Sequence, residues 1–223
     1  VAGGTTTEKP FVASMGIYVF NREVLLEMLA SPGVAFGKEI IPEAISTHVV
    51  SPYVFRGYWA DLGTIEAFYE ANIQLTRRGA PFNFFHPRWP IYTHPRFLPA
   101  TRAFESQLES TIVAEGCYLD RCTITSSVVG IRTRVSPGAS ITRSVLLGAD
   151  YYEEDTAANS IPLGIGRDVV LDRVIVDKNA RIGDGVRLVN EAGVDHADGD
   201  GYLIRNGIII VPKSARVGAG VVV

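Results

Sequence analysis

From about Ser110 to the end of the chain, large apolar residues recur every six positions, a spacing that few folds can use. Ile112, Tyr118 and Ile124 are six apart, and Val129, Val135, Ile141 and Leu147 follow after one five-residue step. A second array runs Ile165, Leu171, Val176, Ile182 and Leu188, again with one five-residue step, and Val211, Val217 and Val223 form a third. A helix buries residues with a period near 3.6 and a half-buried strand with a period of two, so neither produces this pattern. The arrays also superimpose. Val176-Asp177-Lys178-Asn179-Ala180-Arg181-Ile182-Gly183 lies on Val211-Pro212-Lys213-Ser214-Ala215-Arg216-Val217-Gly218, with Val129-Gly130-Ile131-Arg132-Thr133-Arg134-Val135 as a looser copy. Each period supplies one short strand with one inward residue, and three periods close a triangular coil that stacks on the coil below. The fold expected over 110–223 is therefore a left-handed parallel β-helix of hexapeptide repeats.

Two insertions interrupt the period. Gly148–Pro162 carries Tyr151, Tyr152, Glu153, Glu154 and Asp155, and Asn190–Arg205 carries Asp195, His196, Asp198 and Asp200. The second lacks the ligand spacing and closing Glu of an EF-hand, so it is expected to be a solvated acidic loop.

The first third has a different grammar. Residues 11–20 and 49–55 are expected strands. Asn21 is the expected cap of a helix that places Val24, Leu25, Met28 and Leu29 on one face, ending at Pro32-Gly33. Glu39-Ile40-Ile41-Pro42 is expected as a turn. Thr64 is the expected N-cap of a second helix, with Ile65, Phe68, Tyr69, Asn72 and Ile73 on one side. This is α/β material without a complete sheet. Prolines at 81, 87, 90, 95 and 99 then remove backbone donors, so an extended connector is expected there, pinned to its surroundings by Phe82, Phe84, Phe85, Trp89, Tyr92 and Phe97. The organisation expected is α/β over 1–78, connector over 79–109 and β-helix over 110–223.

The net charge of −3 argues against a nucleic-acid partner. The apolar runs are too short to span a bilayer. Cys117 and Cys122 match no zinc or redox spacing and are expected as small reduced residues in a cytoplasmic protein. The chain opens Val1-Ala2-Gly3-Gly4 without a Met, as expected for part of a longer protein.

Several stretches together resemble one family. Ala13-Ser14-Met15-Gly16-Ile17-Tyr18-Val19-Phe20, Phe36-Gly37-Lys38-Glu39-Ile40-Ile41-Pro42 and Gly57-Tyr58-Trp59-Ala60-Asp61-Leu62-Gly63-Thr64 occur in order. They resemble the sugar-binding half of ADP-glucose pyrophosphorylases (glucose-1-phosphate adenylyltransferases). Pro90–Pro99 resembles that family's connector. Gly148-Ala149-Asp150-Tyr151-Tyr152-Glu153 and Val176–Gly183 resemble its β-helix. The resemblance implies adenylyl transfer from ATP to glucose 1-phosphate with Mg²⁺, cytoplasmic or in a plastid, by a homotetramer under an anionic sugar-phosphate or phosphoglycerate effector. It also implies roles. Asp61 would be a catalytic metal ligand, against a bland alternative as a helix cap. Ser14 would bind the sugar phosphate, with Tyr18, Phe36 and Trp59 around the hexose, against ordinary core packing for the aromatics. Lys38 and Glu39 are expected as a surface pair. Lys178 and Lys213, in equivalent slots of two repeats, would bind the effector with help from Arg167 and Arg181, against plain solvated lysines.

The chain departs from the family pattern in two respects. Ala35 stands where the family has an Asp before Phe-Gly, and no Gly-x-Gly-Thr-Arg-Leu loop occurs in the 223 residues. These residues expressed alone are expected to form no ADP-glucose, which an assay for product would check. Two readings compete with the enzyme. One is a non-catalytic regulatory or assembly subunit, and the other is a different sugar-1-phosphate nucleotidyltransferase. A hexapeptide acyltransferase is disfavoured because His48, His86, His94 and His196 all fall outside the periodic coils.

Overall fold

The structure, a computed structural model, describes residues 13–154 and 160–223. It divides into two compact units, Val1–Asp61 and Leu62–Val223.

The larger unit is a three-sided coil of parallel sheets. One face stacks Arg102–Phe104, Tyr118–Asp120, Arg134–Val135, Gly164–Ile165, Arg181–Ile182 and Arg216–Val217. The second stacks Gln107–Glu109, Thr123–Thr125, Ser140–Thr142, Val170–Asp172 and Arg187–Leu188. The third runs from Ile112–Val113 through Val128–Val129, Val145–Leu146 and Val174–Val176 to Ile208–Val211. The coil begins at Arg102, upstream of the expected start.

Register shows why the six-residue period builds a core. Leu119 lies opposite Val135, Val135 opposite Ile165, Ile165 opposite Ile182 and Ile182 opposite Val217. Ile124, Ile141, Leu171 and Leu188 form the same kind of column on the second face, and Val113, Val129, Leu146, Val176 and Val211 on the third. The expected phase was off by one residue in three places. Leu119 is fully buried while Tyr118 is 39% exposed, Val113 rather than Ile112 packs on the core, and Leu146 rather than Leu147 does so. Successive side chains on a strand point to opposite sides, so a one-residue slip exchanges inside for outside. The five-residue steps leave either neighbour compatible with the period.

The corners impose left-handed backbone on residues other than glycine, among them Arg121 (φ 44°), Arg143 (φ 45°), Arg173 (φ 59°) and Asn179 (φ 62°). This conformation is uncommon for side-chain-bearing residues, and here each corner turn is held by bonds to the coils on either side. Ser127 Oγ donates to the Thr125 carbonyl (2.7 Å) and accepts from the Ser144 amide (3.0 Å), and Ser144 Oγ repeats this toward Thr142 and Val174 one coil later. Cys117 and Cys122 are free and buried, and burial pushes both thiols up.

The 190–205 insertion is not a solvated loop. His196–Gly199 and Tyr202–Arg205 form an antiparallel hairpin that continues the third face beyond Ile208–Val211. Ile204 is 2% exposed, Ala197 and Tyr202 pack on the central core, and Gly201 lies against the Arg216 carbonyl. The hairpin covers apolar surface at the last coils, which a bare acidic loop would leave wet. Its acidity is partly answered by Arg205, 2.6 Å from Asp198.

α1 spans Arg22–Leu29, α2 Ile41–Thr47 and α3 Ile65–Leu75. Thr64 caps α3 as expected, its Oγ1 accepting from the Ala67 amide at 3.1 Å. α3 lies in the larger unit, where Tyr69 and Ile73 cover the outer side of the third face at Val145, Ile175 and Ile208. Tyr69 Oη donates to the Arg143 carbonyl at 2.6 Å, the Arg173 guanidinium sits 5.6 Å over its ring, and burial pushes the phenol up to about 12. Tyr69→Phe should cost about 1 kcal/mol in urea unfolding near neutral pH. The neutral phenol is the form favoured by folding. Its contribution is therefore complete below pH 10.0 and is lost as pH rises toward about 12, so the gap between wild type and variant should close in alkali.

In the smaller unit several expectations are corrected. The expected strand over 11–20 begins outside the described residues, and neither 13–20 nor 49–55 forms a ladder. Ile17, Val19 and Val49 are 74%, 97% and 97% exposed, since a strand is stable only with a paired neighbour. The expected turn at Glu39–Pro42 is instead a π-helical turn, Phe36–Ile40, running into α2. Ile40 and Ala44 pack there against Met28 of α1, while Leu29 stays 52% exposed. Asn21 precedes α1 with extended dihedrals but makes no side-chain cap. The connector's aromatics are mostly exposed rather than pinned, with Phe85 89%, Tyr92 91% and Phe97 92% accessible. No helix among the described residues is long and apolar enough to cross a membrane.

Candidate functional site

Two places gather polar chemistry, one in each unit. In the smaller unit, Ser14, Tyr18 and Phe36 come together. Gly16 has φ 73°, which folds the chain so that its amide donates to Ser14 Oγ at 3.1 Å. Ser14 Oγ and Tyr18 Oη then lie 2.8 Å apart. The Tyr18 ring stacks on Phe36, with centroids 5.9 Å apart and planes at 21°, and Phe20 tilts against both. These residues line an open pocket with Leu25 and Gly37. It presents paired hydroxyls beside an aromatic wall. Phe20 and Leu25 were not anticipated; alternation along the chain could have pointed to Phe20, which shares a side with Tyr18, whereas Leu25 enters from the following helix.

Trp59 does not line this pocket and is 44% exposed. Asp61 is also exposed. The N-cap of the following helix is Thr64. Glu39 is no surface partner for Lys38. Its Oε2 accepts from the amides of Val34 (2.6 Å) and Ala35 (3.1 Å), so it closes the loop before the π-helical turn. Among the described residues no three His, Cys, Asp or Glu side chains cluster as a metal cage. A single exposed Asp61 fits an Mg²⁺ site only of the sparse kind, in which one or two carboxylates hold an ion whose remaining ligands are phosphate oxygens and water.

The second place is the corner between the third and first faces of the coil. Lys178 and Lys213 occupy successive turns in register, since Val176 pairs with Val211 and Arg181 with Arg216. Both reach one carboxylate: Lys178 Nζ is 2.8 Å from Asp150 Oδ1 and Lys213 Nζ 3.3 Å from Asp150 Oδ2. Asn179, 8% exposed, accepts from the Asp150 amide (2.8 Å) and donates to its Oδ2 (3.0 Å). The bonds from Lys178, Asn179 and Lys213 hold the Asp150 carboxyl well below the usual carboxylate range. These contacts persist above that range and weaken only on strong acidification.

Arg181 does not join the lysines. It is largely buried, 2.5 Å from Glu153 Oε1 and 2.8 Å from the Ile161 carbonyl, and the other Glu153 oxygen accepts from the Leu163 amide at 2.9 Å. Arg167 is exposed at a different corner, where its amide donates to Asp184. The structure thus brings Lys178 and Lys213 together and separates both arginines from them. Asp150, Asn179 and Glu153 were missed as partners. The only signal was their presence in the insertion and repeat motifs, because the pairing spans 28 residues from Asp150 to Lys178 and cannot be read locally.

Comparison with known families accounts for both units. Residues 6–78 match the family model described as nucleotidyl transferase. Residues 96–222, more than half of the chain, match that described as the GLGC left-handed parallel beta-helix domain. The three-sided coil is that β-helix, and the Ser14–Tyr18–Phe36 pocket falls in the nucleotidyl transferase match. A nucleotidyl transferase segment followed by this particular β-helix places the chain in the ADP-glucose pyrophosphorylase family.

Proposed function

We propose that this chain belongs to a glucose-1-phosphate adenylyltransferase, which joins ATP and α-D-glucose 1-phosphate into ADP-glucose and pyrophosphate. The observation that carries the reading is the pocket of Ser14, Tyr18 and Phe36. A hexose phosphate offers apolar C–H faces beside hydroxyls and an anionic group, and a stacked aromatic wall with adjacent hydroxyls suits both. Ser14 Oγ and Tyr18 Oη donate toward phosphate or sugar oxygens, while Phe36 and Phe20 keep the sugar face dry. Asp61 would hold one position of an Mg²⁺ ion, whose charge would offset that of the phosphate oxygens during transfer. The test is an assay of the full-length enzyme with glucose 1-phosphate and each nucleoside triphosphate. ADP-glucose formed fastest from ATP supports the reading; UDP- or GDP-sugar formed faster overturns it.

Lys178 and Lys213 are the effector site of this enzyme, with an anionic sugar phosphate or phosphoglycerate as ligand and the homotetramer as working form. Their support is convergence: two ammonium groups from successive coils meet at one anion position. Charge-assisted hydrogen bonds favour a phosphate there. Lys213→Ala should raise the activator concentration for half-maximal effect roughly tenfold, the low end for a bond to a charged group because Lys213 is exposed. Activity without activator should not change. Superimposable activation curves would sink this assignment. A tetramer by light scattering is the expected assembly.

A further inference from the structure

The Lys178–Lys213 position already contains an anion supplied by the chain itself. Asp150 enters from the start of the 148–162 insertion and places its two oxygens on the two ammonium groups, one each. Its backbone and side chain are both gripped by Asn179, whose left-handed backbone at φ 62° turns the amide toward the insertion. Three donors from two coils thus surround one carboxylate. Lys178, Lys213 and Asp150 carry two positive charges and one negative, and the neighbouring Asp177 carboxylate is turned onto the Lys178 amide rather than an ammonium group. Glu153 is engaged with Arg181 and Leu163 and does not supply the balance.

We propose that Asp150 is the specificity-determining residue of this site, an intramolecular competitor that only a doubly charged anion displaces. The proposal rests on the effector reading of Lys178 and Lys213. A monoanion such as a carboxylate offers these lysines nothing that Asp150 does not, and Asp150 is held at high effective concentration by its own backbone. A phosphate carries roughly −1.5 to −2 at neutral pH and three acceptor oxygens, so it satisfies both ammonium groups and Asn179 together. Tethered competition lowers apparent affinity by the fraction of molecules with Asp150 detached. The lysines therefore set where an anion binds, and Asp150 sets which anion succeeds. On either side of Asp150 the insertion stays held, by the Ala149 amide on the Ile131 carbonyl and by Tyr152 Oη, which donates to the Gly116 carbonyl at 3.0 Å.

The experiment titrates the full-length enzyme by calorimetry at low ionic strength, with inorganic phosphate and separately with acetate. The proteins are wild type, Asp150→Asn, Lys213→Ala and the double variant. Wild type is expected to bind phosphate and not acetate. D150N is expected to bind phosphate about tenfold tighter and to gain measurable acetate binding, with both lost in the double variant. Asp150→Ser, which removes the carboxylate by a different route, should behave as D150N does if D150N proves poorly folded. Equal phosphate affinity in wild type and both Asp150 variants, with Lys213→Ala weakening it, overturns the competitor role while leaving the effector site intact. No effect of Lys213→Ala on phosphate in either background overturns the effector reading, and the competitor role with it.

Discussion

Ile141→Ala should lower stability by about 3 kcal/mol, the middle of the range for truncating a buried aliphatic side chain. Ile141 is fully buried, and it is clasped in register between Ile124 on one coil and Leu171 on the next. The coil cannot collapse to fill the hole, because the strand carrying Ile141 is fixed by ladder bonds to both neighbours, so the cavity penalty adds to the lost transfer energy. In a domain of this size the expected fall in Tm is about 6–12 °C. Thr123→Ala on the outward side of the same face is the matched control and should stay within about 0.5 kcal/mol. A loss equal to that of the control would mean that the column does not carry the coil's stability.

Asp61→Asn should reduce kcat of the full-length enzyme by about 10²–10³-fold, the loss typical when one preorganised electrostatic contact to a reacting group is removed. The melting temperature should scarcely move, because Asp61 is exposed and the helix start is held by Thr64. Part of the loss should be recovered at high Mg²⁺ if the carboxylate's work is to hold the ion. A kcat within a few-fold of wild type at ordinary Mg²⁺ would remove Asp61 from the catalytic assignment.

The two variants should separate, truncation inside the coil lowering stability and change at the exposed carboxylate lowering turnover. The corner of Lys178, Lys213 and Asp150 lies between these extremes. Its charges are exposed, so its loss should alter ligand response far more than stability.

What the linear sequence determined about this protein is whatever depends on near neighbours and on repetition. The period of six determines a three-sided coil, because one inward residue per face is a local requirement met again on every turn. Thr64 as cap of α3 and the break in pattern after residue 78 follow from spacings of a few residues, whereas Ser14 and Tyr18 were named by resemblance and are joined by the turn at Gly16. Only the tertiary structure decided the rest. It chose Leu119 over Tyr118 and Leu146 over Leu147, since phase is set by which side chain finds the coil below, not by the interval. It turned the acidic insertion at 190–205 into a hairpin, because an uncovered last coil would leave Ile209, the partner of Ile204, at an open edge. It placed α3 on the third face, where its apolar stripe meets Val145, Ile175 and Ile208. It left Ile17, Val19 and Val49 exposed as extended chain, because strand formation depends on a partner that composition cannot supply. Above all it put Asp150 between Lys178 and Lys213. Coulomb attraction acts across space, and here the coil brings together charges separated by 28 and 63 residues of chain.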